Sequence, residues 1–168
     1  MILTIIYLIF SFILESFMSN IFTSTFSSIS VFSTIYTIIA LVIVYPFFYN
    51  DKKYYIVLLV FGFLFDMIYT STILFNMFIF FVVGIVIKLL YNYFPSNIFM
   101  TNIISIISII TYHVLSFIIL SIIGYADYSI VLLGKIIIHS ILMTIIYTSI
   151  SYLIINFIYN KYNIKMIK

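Results

Sequence analysis

The sequence predicts an all-α polytopic membrane protein, a bundle of about six transmembrane helices with N- and C-termini on the cytoplasmic side. Three observations predict it. Hydrophobic residues make up 66% of the 168-residue chain and charged residues 7%, with a mean hydropathy of +1.37, against about 45–50% apolar and about 25% charged in a soluble domain. Apolar runs near the ~20 residues needed to cross a hydrocarbon core of roughly 30 Å recur along the chain. Lysines, both prolines and polar clusters punctuate those runs. No Pro/Gly/Ser-rich linker or long charge run divides the chain, which reads as a single transmembrane domain over 1–168.

The elements follow in order, with ends uncertain by about two to four residues. The first span is 1–18. It lacks the basic n-region and small-residue cleavage pattern of a signal peptide, so the sequence retains it as a helix. The Ser/Thr-rich "NIFTSTFSSIS" follows, with Ile21, Phe22, Phe26 and Ile29 spaced for one helical face; it is either a short amphipathic helix on the outer surface or a polar loop. The second span is 31–49 and ends at "NDKKYY". Spans three and four, 54–70 and 73–92, are joined by the short link "YTSTILFN". Pro95 in "NYFPSN" stops the fourth, since proline breaks a helix interior. Spans five and six are 98–123 and 130–158.

Lysines set the direction. Lys52 and Lys53 lie between spans two and three, Lys88 at the end of span four, and Lys161, Lys165 and Lys168 in the tail. Six spans with a cytoplasmic N-terminus put all six inside, as the positive-inside rule asks. Tyr45, Tyr49, Tyr54, Tyr55, Tyr91, Tyr93, Tyr159 and Tyr162 then flank the inner interface, and Tyr69, Tyr125 and Tyr128 the outer one. The seven basic residues are all lysines near helix ends and form no basic face, which argues against nucleic-acid binding. Without cysteine there is no disulfide, thiolate metal site or thiol nucleophile.

Polar residues fall on stripes. Thr101, Ser105, Ser108, Tyr112 and Ser116 share one face of span five, and Ser140, Thr144, Tyr147, Thr148 and Ser151 one face of span six. Small hydroxylated faces let membrane helices approach and hydrogen-bond, so the stripes read as packing surfaces. Ser33, Thr37 and Ala40 on span two, and Gly84 on span four, extend that reading.

The ionisable residues away from the cytoplasmic ends are Glu15, Asp66, His113, Asp127, Lys135 and His139. At a 1.5 Å rise per residue, Asp66 sits roughly 18 Å above Tyr54 and His113 roughly 22 Å above Ile98, in the outer half of the membrane. A carboxylate at mid-membrane costs at least about 2.5 kcal/mol, so Asp66 is expected to face the bundle interior, pair or titrate. Lys135 is the first candidate partner, with His113 and His139 next. Two readings stay open: a polar contact site opening outward, or Asp66 capped by hydroxyls while Lys135 and Glu15 snorkel to the interface. No HExxH, GxSxG, P-loop or paired-acid pattern supplies a nucleophile, base or metal set, so the expectation is a non-enzyme with no cofactor and no metal.

The order of these features resembles the rod-shape-determining membrane protein MreD family. The resemblance rests on "LES" closing span one, "GFLFDMIYTSTILFNMFIFFVVGIVIKLL", "TYHVLSFIIL" and "IIIHSILMTIIYTSISYLI". Its most specific piece is Gly62-Phe-Leu-Phe-Asp66, then a short link and an apolar span with Gly84. The link departs from the family pattern, having neither glycine nor proline where both are frequent, and Asn76 takes the place of a small or polar residue at the next span's start.

The resemblance implies a scaffold of the bacterial cell-elongation machinery for peptidoglycan synthesis in the cytoplasmic membrane. It would pair with the bitopic MreC and work beside MreB, RodA and a class B penicillin-binding protein. The interaction or packing candidates are Gly62, Asp66, Glu15, Tyr112, His113, Lys135 and His139. The family is similar in fold to the S components of energy-coupling-factor vitamin transporters, which gives the alternative of a substrate-binding transporter subunit. Span one here has no alanine or glycine for the small-residue docking face that S components carry, and the chain has no tryptophan for a ligand site.

Overall fold

Helix ends follow the punctuation of the chain. The computed structural model describes residues 2–23, 34–70, 74–124 and 129–162, and these contain helices and short connectors but no strand. They form α1 (Ile2–Thr23), α2 (Tyr36–Val44), α3 (Asp51–Tyr69), α4 (Phe75–Tyr93), α5 (Ile98–Ile123) and α6 (Ile130–Lys161), with a 3₁₀ turn at Tyr45–Phe47. Gly124 ends α5 with φ of 71°, the left-handed backbone that glycine adopts without steric cost. α4, α5 and α6 are each long and apolar enough to cross a membrane.

The second span departs most from expectation. In place of a helix over 31–49, the described residues give a non-helical Thr34, an extended Ile35, nine residues of α2 and the 3₁₀ turn. Pro46 explains the early end, because it has no N–H to donate and its ring crowds the carbonyl four residues back. At 1.5 Å per residue α2 is about 14 Å long, well short of a membrane core. Every residue of α2 is buried. It is apolar on all sides because α1, α5 and α6 surround it, with α4 touching one edge.

Other ends move less. α3 starts at Asp51, three residues before the expected span, because Asn50 supplies an N-cap. α1 continues through Ile21 and Phe22, so these belong to the first helix and not to a separate one. Residues 24–33, Tyr125, Asp127, Tyr128 and the 163–168 tail lie outside the described residues.

The tyrosines of the inner group divide. Tyr49, Tyr93 and Tyr162 are exposed, whereas Tyr45, Tyr54 and Tyr159 are core residues. Tyr45 packs against Tyr54 and Tyr91 at ring distances of 4.8 and 5.3 Å, and Phe47 stacks on Tyr159 at 3.9 Å. Beside this cluster Lys88 Nζ lies 3.0 Å from Asp51, tying the end of α4 to the start of α3. The small-residue stripes face inward, with Thr101, Ser105 and Ser108 of α5 and Ser140, Thr144, Thr148 and Ser151 of α6 all buried. Three of their hydroxyls bond back to their own helix, Ser108 to Ile104 O at 2.7 Å, Ser140 to Ile137 O at 2.8 Å and Thr144 to Ser140 O at 2.7 Å. Asn102, donating to Ser149 Oγ at 3.1 Å, joins α5 to α6.

Two glycines bring α3 and α4 together. A Cβ on Gly62 would lie 2.7 Å from Met77 Cα and 3.1 Å from Asn76 O, so the start of α4 rests on bare α3 backbone. In return, a Cβ on Gly84 would overlap Leu58 Cδ1, so α4 is notched where α3 inserts a side chain. The obstacle at Gly62 is backbone and cannot rotate away; the obstacle at Gly84 is a side-chain tip that can. Gly62→Ala is therefore expected to cost about 2–3 kcal/mol of stability and Gly84→Ala about 1 kcal/mol. Unfolding in mixed micelles with increasing SDS measures both, and equal costs would contradict this ranking.

Candidate functional site

A helix N-terminus presents N–H groups with no partner inside the helix. At α3, α5 and α6 the preceding residue answers that need. Asn50 accepts from Lys52 N at 2.9 Å, Asn97 from Met100 N at 2.8 Å, and Ser129 from Leu132 N at 3.3 Å. α2 and α4 have no such residue, because their N-cap positions are Ile35 and Leu74. In the first turns, Tyr36 and Thr37 of α2 and Asn76 of α4 are buried, so their amides need an acceptor from within the bundle.

Asp66 caps α4 from the neighbouring helix. Its Oδ1 accepts from Asn76 N at 2.9 Å and its Oδ2 from Met77 N at 3.1 Å, the two amides an N-cap side chain ordinarily takes. Asn76 Nδ2 donates to Oδ1 at 2.9 Å, and Thr70 Oγ1 donates to it at 3.3 Å. In each of these bonds Asp66 only accepts, which is what a carboxylate does. Asn76 extends the network, since its Oδ1 accepts from the Tyr112 hydroxyl at 2.6 Å. Asp66, Asn76 and Tyr112 thereby join α3, α4 and α5. Gly62, one turn below Asp66 on the same face, lets α4 come close enough for the carboxylate to reach.

Glu15 does the same for α2. Its Oε2 accepts from Thr37 N at 3.1 Å and from Thr37 Oγ1 at 2.6 Å. Glu15 is 8% exposed and Asp66 3% exposed. A negative charge at a helix N-terminus is stabilised by the helix dipole, by up to about 2 kcal/mol where partly buried. The Tyr112 hydroxyl lies within electrostatic reach of both carboxylates, which places the two caps in one region of the bundle. Phe12 of α1 packs against Phe61, Phe65 and Tyr69 of α3, and Tyr69 donates to Phe12 O at 2.6 Å, holding the two cap-bearing helices together.

The remaining candidates divide. Tyr112 belongs to the Asp66 network. His113 is half-buried with its ring edge-on to Tyr112. Lys135 and His139 are exposed on α6. Neither is among the partners that Asp66 has in the described residues, so the expected Lys135–Asp66 pairing is replaced by backbone amides and Asn76. Glu15 is likewise buried and bonded, and does not snorkel to the interface. Among the described residues no three His, Asp or Glu side chains come together as a metal site requires. No protein-family model, curated protein or solved structure matches the chain.

Asn76 and Thr37 are the site residues that sequence reasoning undervalued. Their signal was present: each is a lone polar residue in the first turn of an apolar helix whose N-cap position is also apolar. Leu74 carries the geometric cost, with φ of 65° in the left-handed region.

Asp66→Ala strands two amides and the Asn76 side chain in a buried site, with an expected loss of about 3 kcal/mol. Asp66→Asn keeps one acceptor and should lose roughly half as much, and Glu15→Ala, with fewer donors stranded, about 2 kcal/mol. Leu74→Gly should instead stabilise by about 1 kcal/mol, because it relieves left-handed strain at a half-exposed residue. The same SDS unfolding measurement reads all four, and a neutral Asp66→Ala would refute the capping role.

Proposed function

We propose that the chain is a non-enzymatic multi-pass scaffold of the bacterial cytoplasmic membrane that acts in the cell-elongation complex as MreD-family proteins do, pairing with an MreC-like bitopic protein. The observation that carries this reading is the use made of the two buried carboxylates. The most family-specific motif, Gly62 to Asp66, joins one helix to the next, and Glu15 repeats the device on α2. Acids spent on backbone amides support a rigid scaffold over the alternative of a vitamin-binding transporter subunit, which needs polar groups free to meet a ligand.

In the proposed topology six helical segments enter from a cytoplasmic N-terminus. Lys52, Lys53, Lys88 and Lys161 then share the cytoplasmic side, and Ile123 lies at the outer end of α5. MreB, RodA and the class B penicillin-binding protein would be reached directly or through the MreC-like partner.

The cysteine-free chain makes the topology directly testable. Single cysteines at Lys52 and Lys161 should react with a membrane-impermeant maleimide only after the cells are opened, and one at Ile123 should react in intact cells. The reverse pattern would overturn the orientation. The partnership is tested by co-purification from native membranes: the MreC-like protein should be recovered with the tagged chain, and Asp66→Ala should reduce recovery several-fold and round the cells. Recovery of an ATPase-driven coupling subunit in its place would reject the scaffold reading.

A further inference from the structure

One face of α1 carries Thr4, Ser11 and Glu15, all buried, with Tyr7 between them. α6 runs antiparallel along this face. The Tyr159 hydroxyl lies near Thr4, that of Tyr7 near Ser151 and Tyr147, and that of Tyr147 2.8 Å from Ser11 Oγ. Ser11 in turn donates to Tyr7 O at 3.0 Å. Tyr36 of α2 continues the series, its ring edge-on to Tyr147 at 4.8 Å and its hydroxyl within electrostatic reach of Glu15. The result is a seam of hydroxyls about 16 Å long, taken as the helical rise from Thr4 to Glu15.

The seam has an open end. Thr4 and Phe47 line a cavity of about 210 Å³ together with Phe48, Tyr49, Asn50 and Lys53. Phe47 stacks on Tyr159, the first hydroxyl of the seam. At its other end the seam meets the Glu15 carboxylate that caps α2.

Three tyrosine hydroxyls in the seam are buried without a well-formed hydrogen bond among the described residues: Tyr7, which has only loose contacts with Ser11, Tyr147 and Ser151, Tyr159, which has only a loose contact with Thr4, and Tyr36. Tyr36 and Tyr159 are 3% and 1% exposed as whole residues. A buried hydroxyl without a partner is costly and uncommon in folded proteins. Three of them along one polar path, each beside further hydroxyls, meet the condition for bound water, which needs two to four polar neighbours.

We propose that the seam between α1, α2 and α6 binds a file of ordered waters that bridges these hydroxyls and gives Glu15 an aqueous connection to the cavity beside Lys53.

X-ray radiolytic footprinting of the full chain in nanodiscs tests this, because radicals formed on bound water modify the tyrosines beside it. Tyr54 is the dry control, being fully buried with its hydroxyl donating to Leu41 O at 3.2 Å. Tyr7, Tyr36 and Tyr159 should be modified several-fold faster than Tyr54. Ser151→Leu, which plugs the seam midway, should bring Tyr36 down to the Tyr54 rate and leave Tyr159 unchanged. Modification of Tyr36 at the Tyr54 rate in the unaltered protein, or insensitivity of Tyr36 to the plug, overturns the proposal. Should the plugged variant fail to fold, Tyr36→Phe decides by its sign. Removing a dry, unpartnered hydroxyl raises the melting temperature, which overturns the proposal, whereas removing a hydrated one leaves it unchanged or lowers it, which supports it.

Discussion

The start of a helix buried away from water requires an acceptor, and in this chain that requirement governs the rest. α2 and α4 begin with apolar residues at the capping position and place first-turn residues, Thr37 and Asn76, in the core. Their first-turn amides bring partial positive charge and unpaired donors into an environment where each unsatisfied group is expensive. Glu15 and Asp66 answer both needs at once. Each carboxylate is itself costly to bury, yet placed against a helix N-terminus it receives hydrogen bonds and a favourable dipole. Two unfavourable burials thereby offset one another.

That arrangement constrains the neighbouring backbone. A carboxylate reaches the amides of the next helix only if the helices nearly touch, so Gly62 sits one turn from Asp66, and a Cβ there would strike Met77 Cα. At the start of α4, Leu74 lies in the left-handed region. α5 and α6 show the contrast. The start of α6 is exposed, with Ile130 and Val131 largely accessible, and Ser129 caps it locally without help from α5. An acid on the preceding helix takes the first-turn amides of α2 and α4, whose N-cap residues are apolar, whereas Ser129 takes that of α6.

Much of this was legible in the sequence, for identifiable reasons. Pro95, Asn97 and Gly124 are strong local signals, so α5 reads from punctuation alone. Asp66 could be singled out because a charge in a long apolar run must be compensated. Its partner is not legible there, since backbone amides leave no trace in side-chain chemistry; lysine and histidine are the partners that side-chain chemistry suggests, and Lys135 and His139 are exposed. Nor does hydropathy separate a helix surrounded by protein from one surrounded by lipid. α2 is as apolar as a spanning helix, and its surroundings show why: it is enclosed by other helices of the protein.

The caps also couple the helices energetically. Apart from α3, α4 would carry bare amides at its start, and apart from α4, α3 would carry a carboxylate without its donors. Each is less stable in an apolar environment alone than in the pair. α1 and α2 stand in the same relation through Glu15 and Thr37. Tyr112 extends the coupling to α5 by donating to Asn76, so a change at Asp66 is felt on three helices. Residues joined in one hydrogen-bonded network do not contribute additively. Combined substitutions at Asp66, Asn76 and Tyr112 must therefore depart from the sum of the single ones, whereas Gly84, packed separately on Leu58, stands outside that network.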